Sequence, residues 1–249
     1  MSLKKTKSEL AKLKKANIIV AKTLKFLKAK IKPGITTIEL DAQAENFIRK
    51  NGGIPAFKGY HGYPGTICAS VNEEVVHGIP GGRMLLDGDI ISVDVGCELA
   101  GYFGDSAVTY PVGSISQEAR KLLDVTRESL LKGINMARAG NHLSDISHAV
   151  QSHVEKEGFS VVRDFVGHGI GSSLHEEPQI PNFGKPGQGI KLEAGMVLAI
   201  EPMVNVGTAK VVILEDDWTA VTMDKKLSAH FEHTICVTNA VAEIFSKIK

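Results

Sequence analysis

The 249-residue sequence predicts an α/β fold built from two duplicated halves. Two observations carry that expectation. Stretches of helical period alternate with short apolar runs of strand character. The sequence also repeats itself over a long period. Gly34 to Gly52 and Gly140 to Gly158 are equal intervals, offset by 106 (from 34 to 140), and each frames a helix-like stretch, 37–51 and 143–157. Downstream, residues 85–94 resemble residues 192–201 at an offset of 107 (from 94 to 201). Both read as an apolar pair, a turn at glycine, a buried strand and a carboxylate at its end. Chance easily produces either match alone, but two at nearly one offset argue for halves packed about a pseudo-twofold axis. Asp94 and Glu201 are then symmetry mates, each ending an apolar strand and pointing into the seam between the halves. A carboxylate in that setting is costly unless it meets a cation or a hydrogen-bond network.

Taken in order, the elements begin with a helix over 7–31. Leu10, Leu13, Asn17, Val20, Leu24, Leu27 and Ile31 recur at steps of three and four, which is one helical face. Pro33-Gly34 ends it. A second helix follows over Thr37–Asn51, then a Gly/Tyr/Pro-rich loop at Gly59–Gly65. The clearest strands are Asp89–Val95 and Ala107–Tyr110. The expected organisation is one catalytic domain over 1–249, with a basic N-terminal helix at 1–33 and halves near 34–112 and 113–249.

The net charge of +1 hides an asymmetry. Residues 1–32 hold eleven lysines against one acid, Glu9, giving +10; the remaining 217 residues hold 18 basic and 27 acidic groups, giving −9. The basic helix reads either as a solvated element lying on the body or as a contact for an anionic partner such as ribosomal RNA. Charge alone does not choose between the two. The acidic body argues against an extended phosphate track. Three cysteines with no paired spacing form neither a disulfide framework nor a zinc-finger pattern, and point to the reducing cytoplasm. No stretch approaches the roughly 20 apolar residues that span a bilayer, so a soluble protein without membrane partners is expected.

The chemistry-bearing groups are oxygen-rich. Asp94 and Asp105 are eleven residues apart, and the glycines between them suggest a hairpin that brings the two carboxylates together. So close, they repel, and one protonates unless a metal ion neutralises them. The competing reading is a solvated turn aspartate at each position. His168 lies between Gly167 and Gly169, so its backbone can approach something closely. Glu201 precedes Pro202, and Glu232 lies in His230-Phe231-Glu232-His233-Thr234; each also reads as an ion-pair partner. Together, four carboxylates and one imidazole suit two bridged divalent ions such as Mn²⁺, Fe²⁺, Co²⁺ or Zn²⁺.

At this point the residues carry a family resemblance. Gly167-His168-Gly169-Ile170-Gly171 followed by His175-Glu176-Glu177-Pro178 resembles the signature of the type I methionine aminopeptidases in their short bacterial form. So do Tyr60-His61-Gly62-Tyr63-Pro64, Asn72-Glu73-Glu74-Val75-Val76-His77-Gly78-Ile79-Pro80, Asp94-Val95-Gly96 and Ser228-Ala229-His230-Phe231-Glu232-His233-Thr234. The motifs run in the family's order over almost the whole chain.

The resemblance implies the pita-bread fold, a curved, mainly antiparallel sheet covered by helices in two pseudo-symmetric halves. It implies five metal ligands, Asp94, Asp105, His168, Glu201 and Glu232, holding two divalent ions. Water activated between those ions would attack the first peptide bond of an N-terminal methionine peptide or nascent chain, preferentially where the second residue is small. Glu201 would accept the proton, His175 would bond the developing oxyanion, and His77 would contact the scissile amide. The substrate-binding wall would include Phe57, Tyr60, His61, Tyr63, Cys68, His77, Leu174, His175 and Trp218. A monomer is expected. Cys68 reads equally as a small core residue. Three positions depart from the commoner bacterial pattern: Phe57 for cysteine, Leu174 for phenylalanine and His230 for glutamine. His230 reads either as a neighbour that tunes Glu232 or as a solvated loop histidine.

Overall fold

The computed structural model describes residues 3–247; the outermost residues of the expected domain, 1, 2, 248 and 249, lie outside the described residues. Four α-helices are found among the described residues: α1 (Lys7–Lys28), α2 (Thr37–Lys50), α3 (Gln117–Met136) and α4 (Leu143–Lys156). The strands of the first part are β1 (Ile54–Pro55), β2 (Ile67–Val71), β3 (Glu74–Val76), β4 (Ile90–Leu99) and β5 (Tyr102–Pro111). Those of the second are β6 (Ser160–Val161), β7 (Gly167–Gly169), β8 (Glu176–Ile180), β9 (Val197–Ile200) and β10 (Met203–Asn205). They continue with β11 (Val211–Ile213), β12 (Ala220–Thr222), β13 (Ser228–His230), β14 (His233–Cys236) and β15 (Glu243–Ile244). Every ladder between these strands is antiparallel, and the ladders form four sheets: β1-β4-β2 with β5 on β4, β13-β10-β6, β11-β12-β3 and β15-β14-β9-β7-β8.

α1 begins where Thr6 and Glu9 form a reciprocal capping box. It stops three residues before the expected end. Lys30 and Ile31 turn back to the Leu27 carbonyl, and Pro33 disfavours helical backbone at the residue before it. Leu13, Asn17, Val20, Leu24 and Leu27 are buried, while Leu10 and Ile31 at the two ends are only half-buried. Asn17 is tolerated on that face because its side-chain amide donates to the Leu13 carbonyl at 3.0 Å. Gly104 of β5 lets the helix come close: a Cβ there would collide with the Asn17 and Ala16 backbone. The helix therefore lies on the body by its apolar face.

The duplication is visible in the backbone. Gly34 N–H donates to the Leu85 carbonyl at 2.8 Å, and Gly140 N–H donates to the Leu192 carbonyl at 2.9 Å. Glu39 accepts from the Thr36 N–H that opens α2, as Asp145 accepts from the His142 N–H that opens α4, both at 2.8 Å. The left-handed glycines also pair, with φ of 93° and 99° at Gly34 and Gly140, and 97° and 96° at Gly88 and Gly195. One expectation needs correcting. Glu201 does follow the end of β9, but Asp94 lies mid-strand, because β4 runs on through Cys97 and Leu99, paired to β1 and β5.

The apolar interior follows the same division. One cluster packs α1 and α2 against β2 and β4; a second packs α3 and α4 against β9, β10 and β14. A third, smaller cluster draws on both parts, joining Leu13, Phe57, Tyr63 and Cys68 to Ile170, Leu174, Val197 and Cys236. The functional cavity opens beside it.

Candidate metal centre and active-site cavity

β4 and β5 form the expected hairpin. Asp94 pairs across it with Ala107 and Asp105 with Gly96, so the two carboxylates are diagonal neighbours on one face. Each turns one oxygen, Oδ1, into a sealed position with no hydrogen-bond partner among the described residues. Asp105 is 3% exposed and Glu232 2%. Glu232 is fixed to the hairpin through its backbone: its N–H donates to the Ala107 carbonyl at 2.9 Å, and the Ser106 hydroxyl donates to its carbonyl at 2.5 Å. Thr234 bonds the Asp105 carbonyl at 2.7 Å, and Thr109 bonds the His230 carbonyl at 2.8 Å. This row of hydroxyls stitches β5 to β13 and β14 and is what brings Asp105 beside Glu232.

His168 arrives from β7. Its flanking glycines do allow close approach, and the approaching groups are neighbouring strands. A Cβ at Gly167 would overlap the Ala199 carbonyl of β9, and one at Gly169 the Glu177 carbonyl of β8. His168 Nδ1 lies 2.9 Å from the Gly169 carbonyl, which places the ring proton there and leaves the Nε2 lone pair facing the carboxylates. Nε2 is 3.5 Å from Glu201 Oε1 and 3.9 Å from Asp105 Oδ2. Ligand atoms of Asp105, His168 and Glu232 all lie within 4.8 Å of one another. Asp94 and Glu201 flank that trio.

The electrostatics are those of a cage that lacks positive charge. Burial pushes the Asp94 carboxyl up to about 6, with His230 pulling the other way. It pushes Glu201 up to about 8. Asp105 and Glu232 also rise well above the usual range, through burial and then through the surrounding carboxylates. Burial lowers His168 to about 3 and His77 to about 4. A neutral imidazole and crowded oxygens, three of which are sealed without a partner, match the donor chemistry of a hard or borderline divalent cation. The residues fit a metal site.

A cavity of about 320 Å³ stands over this group, and every residue named from sequence as a ligand, catalytic group or pocket wall lines it. Tyr63 donates to the Ile67 and Gly78 carbonyls at 3.1 and 2.9 Å and meets Trp218 edge-on at 5.1 Å. Cys68 pairs with Asp94 across β2 and β4 and is 5% exposed, so it belongs to the wall and to the core at once. The Phe57 ring occupies the space that a side chain at Gly96 would take. Leu174 is buried against the same apolar cluster. His77 has left-handed backbone, φ 59°, and faces Phe165 and Trp218 edge-on. His61 is exposed at the rim, edge-on to Tyr60.

The solvated reading of His230 is overturned. It is buried in β13, and its Nε2 lies 3.5 Å from Glu201 Oε2, so it faces Glu201. Two features escaped sequence reasoning. One is the contact of 2.8 Å between the Tyr60 hydroxyl and His175 Nδ1. The other is the hydroxyl row of Ser106, Thr109 and Thr234. Neither has a signal in local spacing, because each joins residues more than 100 positions apart.

Comparison with known proteins agrees with this geometry. The model of metallopeptidase family M24 matches residues 11–239. Methionine aminopeptidase 1 of Bacillus subtilis is 58% identical over 248 residues, covering all of both chains. The crystal structure of the methionine aminopeptidase from Thermotoga maritima superposes with a TM-score of 0.97 at 51% identity, over 98% of each chain. Prolidase from Pyrococcus furiosus, at 22% identity and a TM-score of 0.82 over 99% of this chain and 66% of its own, shares the fold. The architecture is accordingly the two-halved pita-bread fold, and the chain belongs to metallopeptidase family M24, alongside its bacterial methionine aminopeptidases.

Proposed function

We propose that this chain removes the N-terminal methionine from peptides and nascent proteins, preferentially where the second residue is small, as a metalloaminopeptidase. The single observation that carries the reading is the cavity itself, which joins a buried, charge-starved carboxylate cage to an apolar sleeve of side-chain size. In this reading Asp94, Asp105, His168, Glu201 and Glu232 hold two divalent ions of the Co²⁺, Mn²⁺, Fe²⁺ or Zn²⁺ class. Such ions supply the missing positive charge and bring the pKa of a bound water towards about 7.

The remaining steps belong to the chain's own side chains. Glu201, beside His168 and His230, takes up the proton from the attacking water. The Tyr60 hydroxyl lies 2.8 Å from His175 Nδ1; in this reading it donates there, which keeps the ring proton on Nε2 for donation to the carbonyl oxygen as that oxygen gains charge. His77, held neutral by burial, contacts the scissile amide and helps the nitrogen leave. The methionine side chain lies among Tyr60, Tyr63, Leu174 and Trp218, with Phe57, His61 and the soft sulfur of Cys68 completing the wall.

The catalytic domain is one unit whose halves, near 34–112 and 113–249, meet at this site. Free, buried Cys68, Cys97 and Cys236 suit the reducing cytoplasm. No helix among the described residues is long and apolar enough to cross a membrane. The chain acts as a monomer, and exposed Lys15, Lys22, Lys25 and Lys28 on α1 suit contact with ribosomal RNA. A peptide panel tests the reading. Met-Ala-Ser should lose its methionine, Met followed by a bulky residue should react slowly, and Ala-Pro should be spared. Preference for Xaa-Pro substrates would make the chain a prolidase instead.

A further inference from the structure

One half-buried ion pair lies just outside the cavity. Lys5 Nζ and Glu176 Oε2 are 2.5 Å apart, with 12% and 21% of their side chains exposed. Lys5 is fixed from behind. Its N–H donates to the Gly195 carbonyl at 2.9 Å, and neighbouring Lys4 bridges Met196, on the segment leading into β9. The capping box at Thr6 then sets the direction in which α1 departs. Glu176 directly follows His175. Its second oxygen, Oε1, accepts from the Ser173 N–H at 3.1 Å and the Ser172 hydroxyl at 3.5 Å. The pair packs straight onto the main chain of the bend over 171–175, since a Cβ on Gly171 would overlap both carboxylate oxygens and Lys5 Nζ.

We propose that Lys5 and Glu176, seated on Gly171, form a positioning strap for His175, so that the N-terminal segment completes the active site. The inference rests on the peptidase reading for the role it gives His175. The bend has no regular secondary structure; besides Glu176 it is held by the Phe103 N–H on the Gly171 carbonyl and the Gly171 N–H on the Ser173 carbonyl. Leu174 is anchored independently by burial, whereas His175 is exposed: its ring is met by the Tyr60 hydroxyl at 2.8 Å and by the His168 ring, and its backbone takes its position from the bend. Without the Lys5 charge, Glu176 keeps only weak donors in a half-buried place and turns towards water. The bend then loosens. The bend meets the β4–β5 hairpin only through Phe103, and Asp94 and Asp105 are held by the hairpin ladder and by the Ser106 and Thr234 hydroxyls, so metal loading is spared.

The experiment compares the full-length Mn²⁺-loaded chain with Lys5→Met, Glu176→Gln and Lys5→Arg. Lys5→Met and Glu176→Gln should lower kcat on Met-Ala-Ser about tenfold, with KM and bound Mn²⁺ changed less than about twofold, and Lys5→Arg should recover most of the rate. In the metal-free proteins, amide exchange over 172–175 should quicken while β4 and β5 stay as in the wild type. Unchanged kcat and exchange in Lys5→Met would overturn the strap. So would exchange that quickens uniformly across the molecule, which would make the pair a general stabiliser. If the wild type leaves Met-Ala-Ser intact, the peptidase reading fails, and the strap stands or falls on the exchange data alone.

Discussion

His77 combines left-handed backbone, a ring kept neutral by burial and a place on the cavity wall. Backbone strain of this kind persists where the surroundings over-determine it, often at functional positions. Here a Cβ on Gly78 would collide with the Ala69 carbonyl, and the Gly78 N–H donates to the Ser70 hydroxyl at 3.1 Å, which pins the residue before it. His77→Ala should therefore lower kcat by about 10²-fold or more while the bound metal stays at its wild-type level. Equal loss of both, measured by steady-state kinetics and metal analysis, would make His77 structural. At this scale the sequence was highly legible for residues within short motifs, such as His77 and His168. It was less legible for His230, because burial depends on β10 and on Thr109 of β5, neither of which is local in sequence.

Among the elements, α1 shows how a strongly basic segment is held on the body by its opposite face. Leu27 is fully buried in the cluster of α1, α2 and β4, so Leu27→Ala should cost about 2–5 kcal/mol by denaturant titration. A change below about 1 kcal/mol would mean that the helix is only loosely attached. The periodicity of this helix and the matched glycines that frame α2 and α4 were readable because both are local. The lengths of β4 and β5 were not. Their pairing runs to Leu99 and Tyr102, past residues with little strand character, because a ladder continues wherever its partner strand continues. That is also why Asp94 lies within a strand and Glu201 just after one.

For the whole molecule, the cage ties folding to metal binding. A carboxyl whose pKa is raised in the folded state stabilises the fold below its unfolded pKa, near 4.5 for Glu201, and loses that contribution as pH rises towards about 8. Asp94 does the same between its ordinary 3.8 and about 6. The protons held in the metal-free fold are those a cation must displace, and fewer remain at higher pH. The rise in Tm on adding Mn²⁺ to chelated protein should therefore be larger at pH 8 than at pH 6. An equal or smaller rise at pH 8 would contradict the assignment of these groups as ligands. The two-halved plan was legible from one repeated interval and one repeated strand. The seam was not, since its hydroxyl bonds from Ser106, Thr109 and Thr234 reach across 121 to 129 residues.

The most direct test of the whole account is methionine release from Met-Ala-Ser by the metal-free chain during titration with Mn²⁺. The rate should begin near zero, rise with added metal to saturation, and stay near zero in Asp105→Asn. Full turnover in excess EDTA after dialysis would contradict the account.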